Sequence, residues 1–135
     1  DGGPTQAPAA YNSVGTVTVG VRVTDDDGAT AQTTAVVTVE GTPPVAALTG
    51  TPEQGGFVPN DVTWDASGST DADGTVVTYD WDLDDDGIFE TLDGGPQQVV
   101  PYNTSGNKVV NVRVTDHDGL TDEATDDVDL FDVPT

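Results

Sequence analysis

The sequence predicts an all-β fold, a sandwich of two antiparallel sheets, on three observations. Valine alternates with mostly polar residues at Val17, Val19, Val21 and Val23, and again at Val110, Val112 and Val114. A period of two places the apolar side chains on one face of a strand. Asp-Gly and Gly-Gly pairs punctuate the chain roughly every ten residues, the spacing of turns in a sandwich. No segment repeats its apolar residues at helical spacing.

The elements follow a repeat. Tyr11 to Gly28 recurs as Tyr102 to Gly119, at an offset of 91 residues that holds without a gap to Pro43 and Pro134. Asp1-Gly-Gly-Pro matches Asp93-Gly-Gly-Pro with one more residue between the copies. Residues 1–43 therefore read as the C-terminal half of one repeat, and residues 44–135 as a complete repeat. Thr42-Pro43-Pro44 reads as the linker. In the complete unit, strands are predicted near 45–50, 58–66, 75–83, 88–91, 97–101, 108–115 and 121–131. Trp64, Tyr79, Trp81 and Phe89 are the large apolar side chains available for its core. Trp81 is placed to be the central tryptophan of an immunoglobulin-like sandwich.

Charge narrows the function. Twenty-five acidic residues face Arg22, Lys108 and Arg113, for a net charge of −22. At ordinary ionic strength such a charge opposes compaction. At molar salt the screening length falls to about 3 Å and the repulsion is largely lost. The composition therefore suggests adaptation to molar salt, as in an extreme halophile. Disordered acidic chains share this composition, but the valine alternation argues against one. Nucleic acid and anionic membrane are excluded as partners by like charge. Cysteine and methionine are both absent, so neither disulfides nor thiol chemistry is available. No apolar run approaches the roughly 18 residues of a membrane span, and no signal peptide is present; a mature or excised fragment would look the same.

Three acidic turns carry possible chemistry. Asp71-Ala-Asp73-Gly74 sets two carboxylates two residues apart, and calcium takes six to eight hard oxygen ligands of the kind such turns supply. The alternative is a turn that the same carboxylates merely cap. Asp82-Leu-Asp84-Asp-Asp86-Gly87 follows the first half of a D-x-D-x-D-G calcium loop, with Glu90 at loop position nine and Asp93 at position twelve. Its flanks read as strands, so this would be a calcium loop in a hairpin; the alternative is a solvated acidic loop. Asp25-Asp-Asp-Gly28 and Asp116-His-Asp-Gly119 read as hairpin turns, with His117 an exposed turn residue that has neither a catalytic nor a metal role. Without a cysteine, a nucleophile motif or an apolar cleft to separate two carboxyl pKa values, no catalysis is expected. Asn103-Thr-Ser105 is a glycosylation acceptor triplet in a surface turn.

Asp65-Ala-Ser-Gly-Ser-Thr-Asp-Ala-Asp-Gly74, then Tyr79-Asp-Trp-Asp-Leu83, then Val112-Arg-Val-Thr-Asp116 with its turn to Gly119, resembles the polycystic kidney disease (PKD) domain family. The resemblance covers residues 44–133, and residues 1–43 as the family's C-terminal half. It departs at Trp81-Asp-Leu-Asp-Asp-Asp-Gly87, where many members carry a shorter W-D-F-G-D-G. The resemblance implies an extracellular immunoglobulin-like module of surface layers, adhesins or secreted hydrolases. It also implies a calcium set of Asp71, Asp73 and Asp116, with backbone oxygens near Pro44. The function expected is a non-catalytic repeat of a surface layer, filament, stalk or virion appendage, partnered by neighbouring repeats or further copies. An accessory module of a secreted hydrolase is the alternative. The half repeat is expected to belong to a longer array; strand exchange with another chain, or an unpaired half, would also fit.

Overall fold

The structure, a computed structural model, describes residues 3–11 and 13–135. The chain divides into two compact units, one ending at Gly41 and one running from Thr42 to Thr135.

The first unit is a two-stranded hairpin of β1 (Gly15–Thr24) and β2 (Thr30–Val39), antiparallel from Gly15↔Val39 to Thr24↔Thr30. Aspartate closes its turn. Asp25 Oδ1 accepts the amides of Asp27 and Ala29, each at 2.9 Å, and Gly28 takes a φ of 87° that a side chain would strain.

The second unit contains β3 (Thr49–Thr51), β4 (Gln54–Phe57), β5 (Asn60–Asp65), β6 (Val76–Asp82), β7 (Gln97–Tyr102), β8 (Gly106–Asp116) and β9 (Thr121–Phe131). They form two sheets in the orders β3-β5-β7 and β4-β9-β8-β6, and only β4–β9 is parallel. Val62, Trp64 and Ala66 come from the first sheet and its edge, and Trp81, Val110, Val112, Val114, Val128 and Leu130 from the second. These inward stripes meet as the core, with Tyr79 packed at its margin. Trp81 is fully buried as anticipated, and its Nε1 donates to the Gly95 carbonyl at 2.9 Å.

Gly50 sits tightly between its own sheet and the facing one. A Cβ there would lie 2.6 Å from both Trp64 Cζ3 and Val128 Cγ2. Both neighbours are fully buried and have nowhere to move. Gly50→Ala is expected to lose about 3 kcal/mol by overpacking. Denaturant titration in saturating calcium and molar salt would read it, and an unchanged midpoint would contradict so close an approach.

Three details depart from the sequence reading. Residues 88–91 form no strand. Only Thr91 pairs, bridging Trp81 through bonds of 2.8 and 3.2 Å, because the preceding loop amides turn toward Asp82 instead. Phe89 is half-buried outside the core, its ring 4.4 Å from the Arg113 guanidinium carbon. The parallel strand β4 was not anticipated, since Gln54-Gly-Gly-Phe57 has no alternation to read.

The hairpin of the first unit and β8–β9 share their local geometry. Gly15 and Gly106 open β1 and β8 with φ of 125° and 115°. Asp116 Oδ1 accepts the amides of Asp118 and Leu120, each at 2.8 Å, as Asp25 does for Asp27 and Ala29. Gly119 takes the same left-handed φ as Gly28, at 85°.

Candidate metal centre

β8 presents Val110, Val112, Val114 and Asp116 to the interior in alternation, so the apolar stripe ends in a carboxylate. Asp116 is 1% exposed. One of its oxygens is engaged by the two turn amides, while Oδ2 is buried with no hydrogen-bond partner. The turn before β6 comes alongside, tied on by the His117 amide donating to the Thr75 carbonyl at 3.2 Å. From this turn Asp71 contributes a second buried carboxylate whose Oδ2 has no hydrogen-bond partner. Buried, unsatisfied carboxylate oxygens are costly unless a cation or proton meets them.

The electrostatics agree. Burial first, then the contact with Asp73 and the charges of Asp73 and Asp116, push the Asp71 carboxyl above its ordinary value. Asp73 is held below its own, first by the Thr42 amide donating to its Oδ2 at 2.8 Å, then by the contact with Asp71. The N-terminal edge of the unit reaches this turn through the Thr42 amide.

His117 is exposed as expected, but it does not point freely into solvent. Its Nδ1 lies 3.5 Å from Asp71 Oδ2 and its Nε2 lies 3.3 Å from Asp118 Oδ2. The ring occupies the space a Cβ on residue 74 would need, which is a second reason for glycine at that turn. Asp116, His117 and Asp118 bring ligand atoms within 4.8 Å of one another; Asp71 and Asp73 adjoin this group without being part of it. The sequence reading missed His117 and Asp118 here because their approach to Asp71 is made across the fold.

The second acidic turn is built differently. Asp82, Asp84, Asp86 and Glu90 converge within 4.8 Å. Asp82 is buried, and its two oxygens accept the amides of Asp86 at 3.2 Å and Gly87 at 2.9 Å. Asp86 Oδ1 takes the Ile88 amide at 2.8 Å, and Glu90 Oε1 the Leu83 amide at 2.7 Å. Burial, then the charges of Asp86 and Glu90, raise the Asp84 carboxyl. Asp93, at loop position twelve, stands outside the cluster, its amide bound to Asp80 Oδ1 at 2.9 Å. Asp25, Asp26 and Asp27 form a third, fully exposed group. Asn103 is exposed between β7 and β8, with Lys108 Nζ donating to the neighbouring Thr104 hydroxyl at 3.0 Å.

Among the described residues, no helix is long and apolar enough to cross a membrane. The chain resembles a solved structure of carbohydrate-binding modules from the β-sandwich superfamily, at 30% identity and a TM-score of 0.60 over 70% of this chain. It spans 37% of that structure's length. It resembles the PKD1 domain of Vibrio anguillarum Epp at 27% identity and a TM-score of 0.54, covering 70% of this chain and 100% of that domain. For the PKD1 domain of the Vibrio cholerae metalloprotease PrtV, the values are 26% and 0.52, over 68% of this chain and 100% of that one. Residues 42–130 match the family model described as PKD domain, and with that match the chain belongs to the PKD domain family.

Proposed function

We propose that this chain is a non-catalytic structural module of an extracellular, salt-adapted array, a surface layer, filament, stalk or virion appendage, and that calcium completes its fold. PKD domains are typically extracellular and non-catalytic, which sets the class. The observation that carries the calcium reading is the pair of buried oxygens that accept no hydrogen bond, Asp71 Oδ2 and Asp116 Oδ2. Asp71, Asp73, Asp116 and Asp118 would supply hard oxygen ligands from two turns, and the metal would offset the burial and the neighbouring charges that raise Asp71. Asp82, Asp84, Asp86 and Glu90 are a weaker second site, because both oxygens of Asp82, its one buried carboxylate, already accept backbone amides.

Calorimetric titration of calcium into wild type, Asp71→Asn and Asp84→Asn tests this. Asp71→Asn is expected to lose the tighter binding event and Asp84→Asn to keep it. Identical isotherms for all three proteins would refute the assignment.

A second reading, an accessory module of a secreted hydrolase, is favoured by the likeness to a domain of a metalloprotease and to carbohydrate-binding modules. Sedimentation of the chain with insoluble polysaccharide separates the two, since an array module would stay in the supernatant.

A further inference from the structure

We propose that the open valine face of the β1–β2 hairpin is a docking surface for the first half of another repeat, a segment equivalent to residues 44–92. This deepens the array reading and rests on it. Strand register puts Val17, Val19, Val21 and Val23 on one face with Ala31, Thr33, Ala35 and Val37. No charged side chain interrupts that face, in a chain with 25 acidic residues.

The second unit displays what covers such a face. Val19, Val21, Val23 and Val37 correspond, at the repeat offset, to Val110, Val112, Val114 and Val128. The latter four are each 0% exposed, in one core with Val62, Trp64 and Trp81. The former are 46%, 55%, 60% and 43% exposed. The outer edges differ in the same sense. β8 is paired by β6 and β9 by β4, whereas β1 and β2 pair only with each other among the described residues.

A third observation is independent of both. β7 (Gln97–Tyr102) is a strand because it pairs with β5. The corresponding stretch of the first unit, from Thr5 to Tyr11, forms no strand, and a β5 equivalent is what it would pair with. The missing cover is therefore the counterpart of β3 to β6. A second copy of this chain is a poor source, since its own β3 to β6 are engaged in its own sandwich.

The occupant is not a perfect copy. In the second unit Asp122 and Asp126 accept the amides of Ala46 and Gly50, each at 2.9 Å. Their counterparts in β2 are Ala31 and Ala35, so the docked segment rests there on methyl groups.

The test compares residues 1–135 with a longer chain in which a copy of residues 44–92 is joined ahead of Asp1. Hydrogen exchange is followed in molar salt and calcium, with β8–β9 as internal reference. Amides of residues 16–24 are expected to exchange at least about 100-fold more slowly in the longer chain, while it remains monomeric by light scattering. Val21→Asp should abolish that gain without altering β8–β9. Ala31→Asp with Ala35→Asp, which restores the two acceptors, should enlarge it. The proposal is overturned if neither the longer chain nor its double variant slows these amides while β8–β9 stays protected. It is also overturned if residues 1–135 already protect them, as a monomer or as a dimer. Fast exchange in β8–β9 itself would remove the module reading and this inference together.

Discussion

In roughly 20 mM NaCl with chelator, where charges still act on one another over about 20 Å, the protein is expected to lose most of its β-sheet circular dichroism. Added NaCl should restore it, because molar salt shortens that distance to about 3 Å. The reason is local as well as global. Asp82, Asp84, Asp86 and Glu90 crowd one turn, and Asp126, Asp127 and Asp129 share a depression with Glu53. Three basic residues cannot neutralise this. Arg113 is committed to Asp80 at 2.8 Å, and Asn107, an uncharged side chain, bridges Asp127 and Asp129 at 2.7 and 2.8 Å. Repulsion within the compact state would thus be relieved by screening and by any bound cation. A chain that keeps its full spectrum in dilute salt and EDTA would end the argument for salt adaptation.

The second large effect is a reversal of sign at Asp71. In chelator, Asp71→Asn is expected to be more stable than wild type, since it removes the charge of a buried carboxylate whose Oδ2 accepts no hydrogen bond. At saturating calcium the order should invert. A ligand that binds only the native state adds about 2.7 kcal/mol at a hundred times its dissociation constant. That corresponds to a rise of on the order of 10–20 °C in Tm for a domain of this size. Asp71→Asn should gain much less.

The pH dependence follows from the same pair. Asp71 has its folded-state pKa raised, so without calcium its burden is present above that value and eases as pH falls through it toward the ordinary 3.8. Asp73 has its folded pKa lowered, so its contribution is present above 3.8 and is lost as pH falls below. Thermal melts from pH 7.5 down to 4, with and without calcium, would show apo wild type gaining on Asp71→Asn as pH falls. Equal calcium increments in the two proteins would remove Asp71 from the site.

The parts of this fold that the sequence declared are those written in side-chain alternation or turn chemistry. Val110, Val112 and Val114 marked β8 by period alone, and the same valines in β1 revealed the copy. The Asp-to-amide turns at Asp25 and Asp116 follow from local hydrogen bonding within five residues, so they too were legible. β4 was not, because two glycines and a parallel partner leave no alternation. Phe89 was misplaced because its neighbour, Arg113, is distant in sequence, and a half-buried guanidinium offers an aromatic ring an alternative to the core. At the site, Asp71, Asp73 and Asp82 to Asp86 stood out by spacing. The orphaned oxygens did not, since burial of Asp71 and Asp116 depends on two turns meeting. Asp93 was counted into a loop geometry that the Trp81–Thr91 bridge had already closed.

The tie between Thr42 and Asp73 determines how this unit would carry a tensile load. The chain enters at Thr42, held to the turn beside the Asp116 end of the sandwich. It leaves after β9, whose eleven residues run from Thr121 at that end to Phe131. At the rise of an extended strand, entry and exit stand about 35 Å apart along the strand direction. Force applied between them runs parallel to β8, β9 and β4, so many ladder hydrogen bonds share it in shear instead of parting one by one. A cation at Asp71 and Asp116 would clamp the end where the pull enters.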